Sequence, residues 1–487
     1  MTLKHRAFSA VRWTVVAAVV RTLMQLVQVA VLARLLTPED YGLMAMVTVV
    51  LSFTNMFADM GVNSAYVQRQ DVTPEQRSSL FWLNIGAGVV LSLMILTVSS
   101  LIASFFGDER LTSLLMLAAS TFVLIALGQQ IRMAAEKALN FRLVVLTEIA
   151  SILLGFGVAV SSAFAGWGVY SLVFGAIVTT GSSSVLAWLF LANGWRPMLR
   201  FKLDDVRSFL GFGSALVANN VVSHFNRSID LLLGGRMLAA AELGLYSIPR
   251  QIVLHIQGAV NPIITRVGFP LIAQVQKDIS QVRTIYLKTL NMTASTNAPL
   301  YIGFAFFAPE VVQIILGDKW HGAIELLRIL ALWGFIRSTG NPVGSLLMGM
   351  GRADLSLKWN LGMLFVVPPM LWLGSKYGNL GLAWALLGTV FIMFIPGWFI
   401  LVRPLCKAGF MEYCVTVLRP LLIAVLAIFP AFLISMQITN DYLHMLVAVF
   451  ISISLYIGLS YFLNREWVDS MMHLFAPVSS LFKKSAK

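Results

Sequence analysis

Apolar segments of about 20 residues recur along almost the whole chain, parted by short polar turns, and that length crosses hydrocarbon as an α-helix. They predict spans at 12–36, 41–66, 79–103, 111–134, 143–164, 167–193, 207–234, 246–274, 286–316, 322–350, 356–376, 380–402, 416–437 and 442–463. The pattern therefore calls for about 14 transmembrane helices. A helix satisfies its own backbone polar groups in lipid. The short alternating segments of a β-barrel are not what this chain shows.

Within several spans the polar residues share one helical face. Span 1 places Thr14, Arg21, Gln25 and Gln28 together, and span 2 does the same with Thr48, Ser52, Asn55 and Asp59. Span 7 has the densest stripe, with Asn219, Asn220, Ser223, His224, Asn226, Arg227 and Asp230. Span 8 adds Gln257, Asn261 and Arg266 among three prolines (Pro249, Pro262, Pro270), and span 10 adds Arg337, Asn341 and Ser345. A charge at the bilayer centre costs a few kcal/mol or more, so such residues face a bundle interior or a wet cavity.

The deep charges are mostly cationic: Arg21, Arg227, Arg266 and Arg337 stand against Asp59 and Asp230. A positive cavity suits an anionic substrate, and arginine forks grip phosphate oxygens bidentately. Gln25, Gln28, Asn55, Asn219, Asn220, His224, Asn261 and Asn341 are the expected polar lining. Asp59 and Asp230 are candidate ion-coupling residues. Two structural alternatives stay open: Arg227 and Asp230, at i and i+3, could neutralise each other, and Asp59 could pair with Arg21.

One pattern occurs twice, about 200 residues apart, which marks an internal repeat. Arg34, Leu36, Asp40, Gly42 and Leu43 are matched by Arg236, Leu238, Glu242, Gly244 and Leu245. Val67-Gln68-Arg69 returns as Val275-Gln276-Lys277, Gly107-Asp108 as Gly317-Asp318, and Gly168 and Gly175 as Gly381 and Gly388. The repeat predicts an N-lobe (1–195, helices 1–6) and a C-lobe (196–405, helices 7–12), facing bundles with a substrate path between them. Helices 13–14 (406–465) and a tail (466–487) stand outside it.

Composition agrees: of 487 residues, 58% are hydrophobic and 12% charged, which fits an all-α polytopic membrane protein. The net charge is +13, and cations cluster in alternate loops, from Lys4 and Arg6 through Arg196, Arg200 and Lys202 to Lys483, Lys484 and Lys487. That is a positive-inside bias with both termini cytoplasmic, so the charge requires no nucleic acid. Span 1 is too long for a cleaved signal and is interrupted by Arg21. Cys406 and Cys414 read as free thiols. No phosphate loop, metal-ligand spacing or nucleophile elbow appears. We therefore expect no cofactor and no catalytic site, and transport fits better than chemistry.

Specific stretches then carry a resemblance. Leu32-Ala33-Arg34-Leu35-Leu36-Thr37-Pro38-Glu39-Asp40-Tyr41-Gly42-Leu43, with the six-plus-six plan, resembles the polysaccharide-transporter branch of the multidrug/oligosaccharidyl-lipid/polysaccharide exporter superfamily. Asn261-Pro262-Ile263-Ile264-Thr265-Arg266-Val267, Gly317-Asp318-Lys319-Trp320 and the run from Arg337 to Met348 look like its colanic-acid exporter group. The resemblance implies a flippase of the bacterial inner membrane. It would move undecaprenyl-diphosphate-linked oligosaccharide units to the periplasmic leaflet for exopolysaccharide, capsule or O-antigen synthesis, by alternating access through a V-shaped cavity. It also implies a lipid-tail groove at helices 13–14, a polysaccharide polymerase or export complex as partner, and cavity cations at Arg21, Arg227, Arg266 and Arg337. No strict family motif covers Arg21. The rival readings are a cation-coupled multidrug antiporter of the same fold, a peptidoglycan-precursor flippase, and a non-transporting scaffold of a polysaccharide-assembly complex.

Overall fold

The threonine-proline-acid sequences that open two spans set their helix starts. At Thr37-Pro38-Glu39-Asp40, the Thr37 amide donates to Asp40 Oδ2 (2.9 Å) and the Asp40 amide to Thr37 Oγ1 (3.3 Å). At Thr73-Pro74-Glu75-Gln76, the Gln76 amide donates to Thr73 Oγ1 and Gln76 Oε1 accepts from the Thr73 amide, a reciprocal capping box. Proline costs nothing at these first helical positions, where its missing N–H has no partner to lose.

The computed structural model describes residues 3–59, 66, 69, 71–438 and 441–475, and among them there are helices and turns but no strand. Helices α1 (Leu3–Leu35), α2 (Pro38–Asp59), α3 (Pro74–Phe106), α4 (Arg110–Lys137), α5 (Phe141–Phe164) and α6 (Tyr170–Phe190) lie on the first six expected spans. The next six carry α7 (Leu203–Met237), α8 (Ala240–Gln274), α9 (Ile279–Phe306), the pair α10 (Ile324–Thr339) and α11 (Asn341–Gly349), α12 (Ala353–Ser375) and α13 (Gly378–Gly397). After them come α14 (Phe410–Ser435), α15 (Asp441–Leu463) and the short α16 (Arg465–Phe475). Among the described residues, eight helices are long and apolar enough to cross a membrane, or nine with one bent pair. Helices α2, α7, α8, α10, α11 and α12 fall outside that count.

Proline explains two breaks. The α9 helix ends before Ala308-Pro309, and the following segment, Ala308–Leu316, turns away by 83°, because Pro309 has no N–H to continue the ladder. Span 10 divides at Gly340, with Pro342 in the first turn of α11. Pro342 cannot donate to the Ser338 carbonyl four residues back. That oxygen instead accepts from Asn261 Nδ2 (3.3 Å). By contrast, α8 runs through its three internal prolines.

Contacts group the chain into two units: residues 1–248, 315–320 and 359–385, and residues 249–314, 321–358 and 386–487. In the first unit, α5 and α6 pack at Gly155 and Gly175, where a Cβ on Gly155 would fall 2.6 Å from the Gly175 oxygen. Close backbone approach of this kind needs small residues.

The two copies of the repeated motif meet in this unit. A Cβ on Gly42 would lie 1.7 Å from the Ala240 oxygen, and one on Gly244 would lie 1.7 Å from the Pro38 oxygen. The starts of α2 and α8 therefore cross backbone to backbone. The flanking loops are exchanged in the same sense: Gly317 lies against Arg34 Cγ, and Gly107 against Arg236 Nη1. Arg110 ties Asp108 to Glu39, both at 2.7 Å, and its side chain holds the Asp108 carboxyl below the usual carboxylate range.

The loop Gly317–Trp320 closes the end of α1. The last carbonyls of a helix have no partner within it. Trp320 Nε1 donates to the Ala33 oxygen (2.9 Å), and the fully buried Trp320 ring meets Tyr41 edge-on at 5.4 Å. Trp320→Phe keeps most of the packing and orphans the carbonyl. The expected cost is about 1–3 kcal/mol, read from thermal unfolding of the purified protein in detergent.

In the second unit α9 is the central post. Asn464, between α15 and α16, donates to Ser295 Oγ (2.7 Å) and exchanges amide hydrogen bonds with Asn291 (3.0 and 3.2 Å). Trp467 Nε1 donates to Thr296 Oγ1 (3.3 Å). This buried knot fixes α16 to α9.

Candidate substrate site

The structure places the expected cations in different surroundings. In the first unit Arg21 forms an ion pair with Glu148 of α5 (2.5 Å), so its carboxylate comes from α5. Glu148 also lines a cavity of about 390 Å³ with Arg132, Glu136, Gln129 and the hydroxyls of Thr179 and Ser183. The acids there accompany the arginines, and this pocket is close to charge balance. Sequence reading passed over Glu148, although a lone acid inside an apolar span is itself a signal. Gln25 and Gln28 are half-buried and Asn55 is exposed.

On α7, Asp230 is buried and accepts from Tyr246 Oη (2.8 Å). Asn226 Nδ2 donates to the Asn360 oxygen (2.8 Å). His224 Nε2 is 3.2 Å from Ser52 Oγ and stands edge-on to Phe53. Arg227, one turn from His224, is exposed. The polar stripe of α7 thus divides into a buried side, carrying Asp230, and an open side, carrying Arg227. Val67 and Gln68, and the side chains of Thr14, Asp59, Asn219, Asn220 and Arg266, lie outside the described residues.

In the second unit three sequence-read side chains form a chain. Arg337 Nε donates to Gln257 Oε1 (3.3 Å), and Gln257 Nε2 donates to Asn341 Oδ1 (3.2 Å). The Arg337 guanidinium also lies over the Trp333 ring, 5.1 Å from its centroid, a favourable cation–π placement. Although the helix breaks at Gly340, Gln257 bridges the break and keeps Arg337 and Asn341 connected. An amide oxygen and an indole face orient the guanidinium. Asn261 is fully buried: its Nδ2 reaches Ser338, and its Oδ1 accepts from Asn297 (2.8 Å). Among the described residues no group of His, Cys, Asp and Glu could hold a metal ion.

A family model described as polysaccharide biosynthesis protein matches residues 31–325. The chain is 30% identical over 421 residues to the lipopolysaccharide biosynthesis protein WzxC of Escherichia coli, covering 86% of each chain. It is 30% identical over 422 residues to the teichuronic acid biosynthesis protein TuaB of Bacillus subtilis, covering 86% of this chain and 87% of that one. Among solved structures it is similar to the lipid II flippase MurJ in an inward closed conformation, with a TM-score of 0.75 and 14% identity, covering 94% of this chain and all of that one. The multi-pass helical membrane fold is therefore shared with MurJ.

Proposed function

Because the chain belongs to the polysaccharide biosynthesis protein family, we propose that it is a flippase for lipid-linked oligosaccharide. Its substrate is a repeat unit on undecaprenyl diphosphate, moved from the cytoplasmic to the periplasmic leaflet of a bacterial inner membrane. The observation that carries this reading is the Arg337–Gln257–Asn341 chain, an oriented guanidinium that links α10, α8 and α11.

The physical problem is the diphosphate. Burying its charge unpaired in hydrocarbon is prohibitive. Arginines that offer forked donors in a wet path replace water around the phosphates. Arg337 and Arg227 take this role, with Arg266 as a further cation, while Arg21 is held by Glu148. Neighbouring Asn and Gln side chains serve the sugar hydroxyls, while the isoprenoid tail stays in lipid. The inside-negative potential favours outward movement of an anion by about 2.3 kcal/mol per charge per 100 mV.

Deletion of the gene followed by mass analysis of extracted lipids tests the proposal. Undecaprenyl-diphosphate oligosaccharides should accumulate, polymer should disappear from the cell surface, and sensitivity to cationic dyes should stay unchanged. Unaltered lipid intermediates alongside normal polymer would overturn it.

A further inference from the structure

A second polar cavity, of about 420 Å³, lies in the second unit, and none of Arg337, Gln257 and Asn341 lines it. One wall is the face of α9 that carries Thr284, Lys288 and Asn291, and the other is the face of α14 that carries Glu412, Thr416 and Arg419. These residues recur at helical spacing, so each wall is one stripe. Glu466 of α16 closes the cavity, held there by Asn291 Nδ2 at 3.3 Å.

The charges are arranged unevenly. Arg283 is used by Glu412, which accepts from its Nε (3.0 Å) and its Nη2, and Glu412 also accepts from the Gly409 amide. Lys288 and Arg419 line the same cavity, and among the described residues neither forms an ion pair. Two cations thus face a space large enough for a small headgroup, with threonine hydroxyls beside them. Next to Arg419 on α14, Leu418 and Leu422 are 49% and 59% exposed, so the rim of the cavity runs onto an apolar face.

We propose that this cavity binds the phosphate ester group of an anionic molecule, held by Lys288 and Arg419 beneath α16. The apolar rim favours an ester that carries acyl chains, an anionic membrane lipid. Glu466 opposes the phosphate by like charge, so the occupied site and the seating of α16 are coupled. This inference stands apart from the flippase reading and is tested without transport.

The full-length protein, purified and delipidated, is titrated with phosphatidylglycerol and followed by native mass spectrometry. The doubly substituted Lys288→Gln, Arg419→Gln protein should bind about tenfold more weakly, the sum of two modest charge contacts. Glu466→Gln keeps an acceptor for Asn291 and should bind about threefold more tightly, a gain that misfolding cannot mimic. Arg352→Gln with Lys358→Gln, a basic pair outside the cavity, should behave as wild type. Displacement by glycerol 3-phosphate identifies a soluble ester as the source, and failure to displace identifies the lipid. Wild-type retention by the Lys288/Arg419 variant, or no gain in Glu466→Gln, would overturn the proposal.

Discussion

Gly42→Ala and Gly244→Ala should each destabilise the protein by about 3 kcal/mol or more, at the upper end of what overpacking costs. The new methyl would press on a backbone carbonyl in each case, 1.7 Å away at both positions. A carbonyl inside a helix start cannot rotate aside as a side chain can, so α2 and α8 must separate. The double substitution should cost less than the sum of the two, because the first methyl already opens the crossing that the second would strain. Gly157→Ala is the control: a Cβ there meets nothing within 4 Å, and alanine is the better helix former by about 1 kcal/mol. Thermal unfolding in detergent measures all four. An unchanged midpoint in Gly42→Ala would show that the crossing is not tight.

Arg337→Glu should abolish polymer export while leaving membrane insertion intact. Two unit charges 4 Å apart interact by about 4 kcal/mol at an effective dielectric of 20. Reversing one turns attraction for the diphosphate into repulsion of similar size. Even a fraction of that difference, about 2.7 kcal/mol, lowers export a hundredfold. Arg337→Lys should fall between, since lysine keeps the charge but lacks the fork. Gln257→Leu should give a milder loss, because Gln257 acts by positioning Arg337 and joining it to Asn341. Export is measured as surface polymer, normalised to the amount of monodisperse protein. Wild-type export by Arg337→Glu would remove the cationic mechanism.

Much of the helical layout was legible in hydropathy, because a membrane span needs a fixed apolar length whatever it packs against. Arg337, Asn341 and Gln257 also stood out in the sequence as polar residues in apolar segments, although the break at Gly340 puts Arg337 and Asn341 on separate helices. Their connection across the Gly340 break was not, since it depends on α8 lying alongside. The partner of Arg21 was missed for the same reason: helical periodicity orders residues along one helix and says nothing about which helix faces it. Asn261 shows a further limit. An asparagine that lines water and one that ties a buried core look alike in sequence, and here the core accounts for both ends of the amide. The Asn464 knot was invisible because it forms at a helix junction, where periodicity stops.

The crossed glycines also constrain how this chain can change over generations. Each copy of the duplicated element completes itself on the other: Gly42 on Ala240, Gly244 on Pro38. Neither glycine is free to drift, since a side chain at either position meets a backbone carbonyl that no substitution on the other copy removes. Glycine at both 42 and 244 should therefore persist together through the history of this lineage, as it would at the contact of two subunits that became one polypeptide.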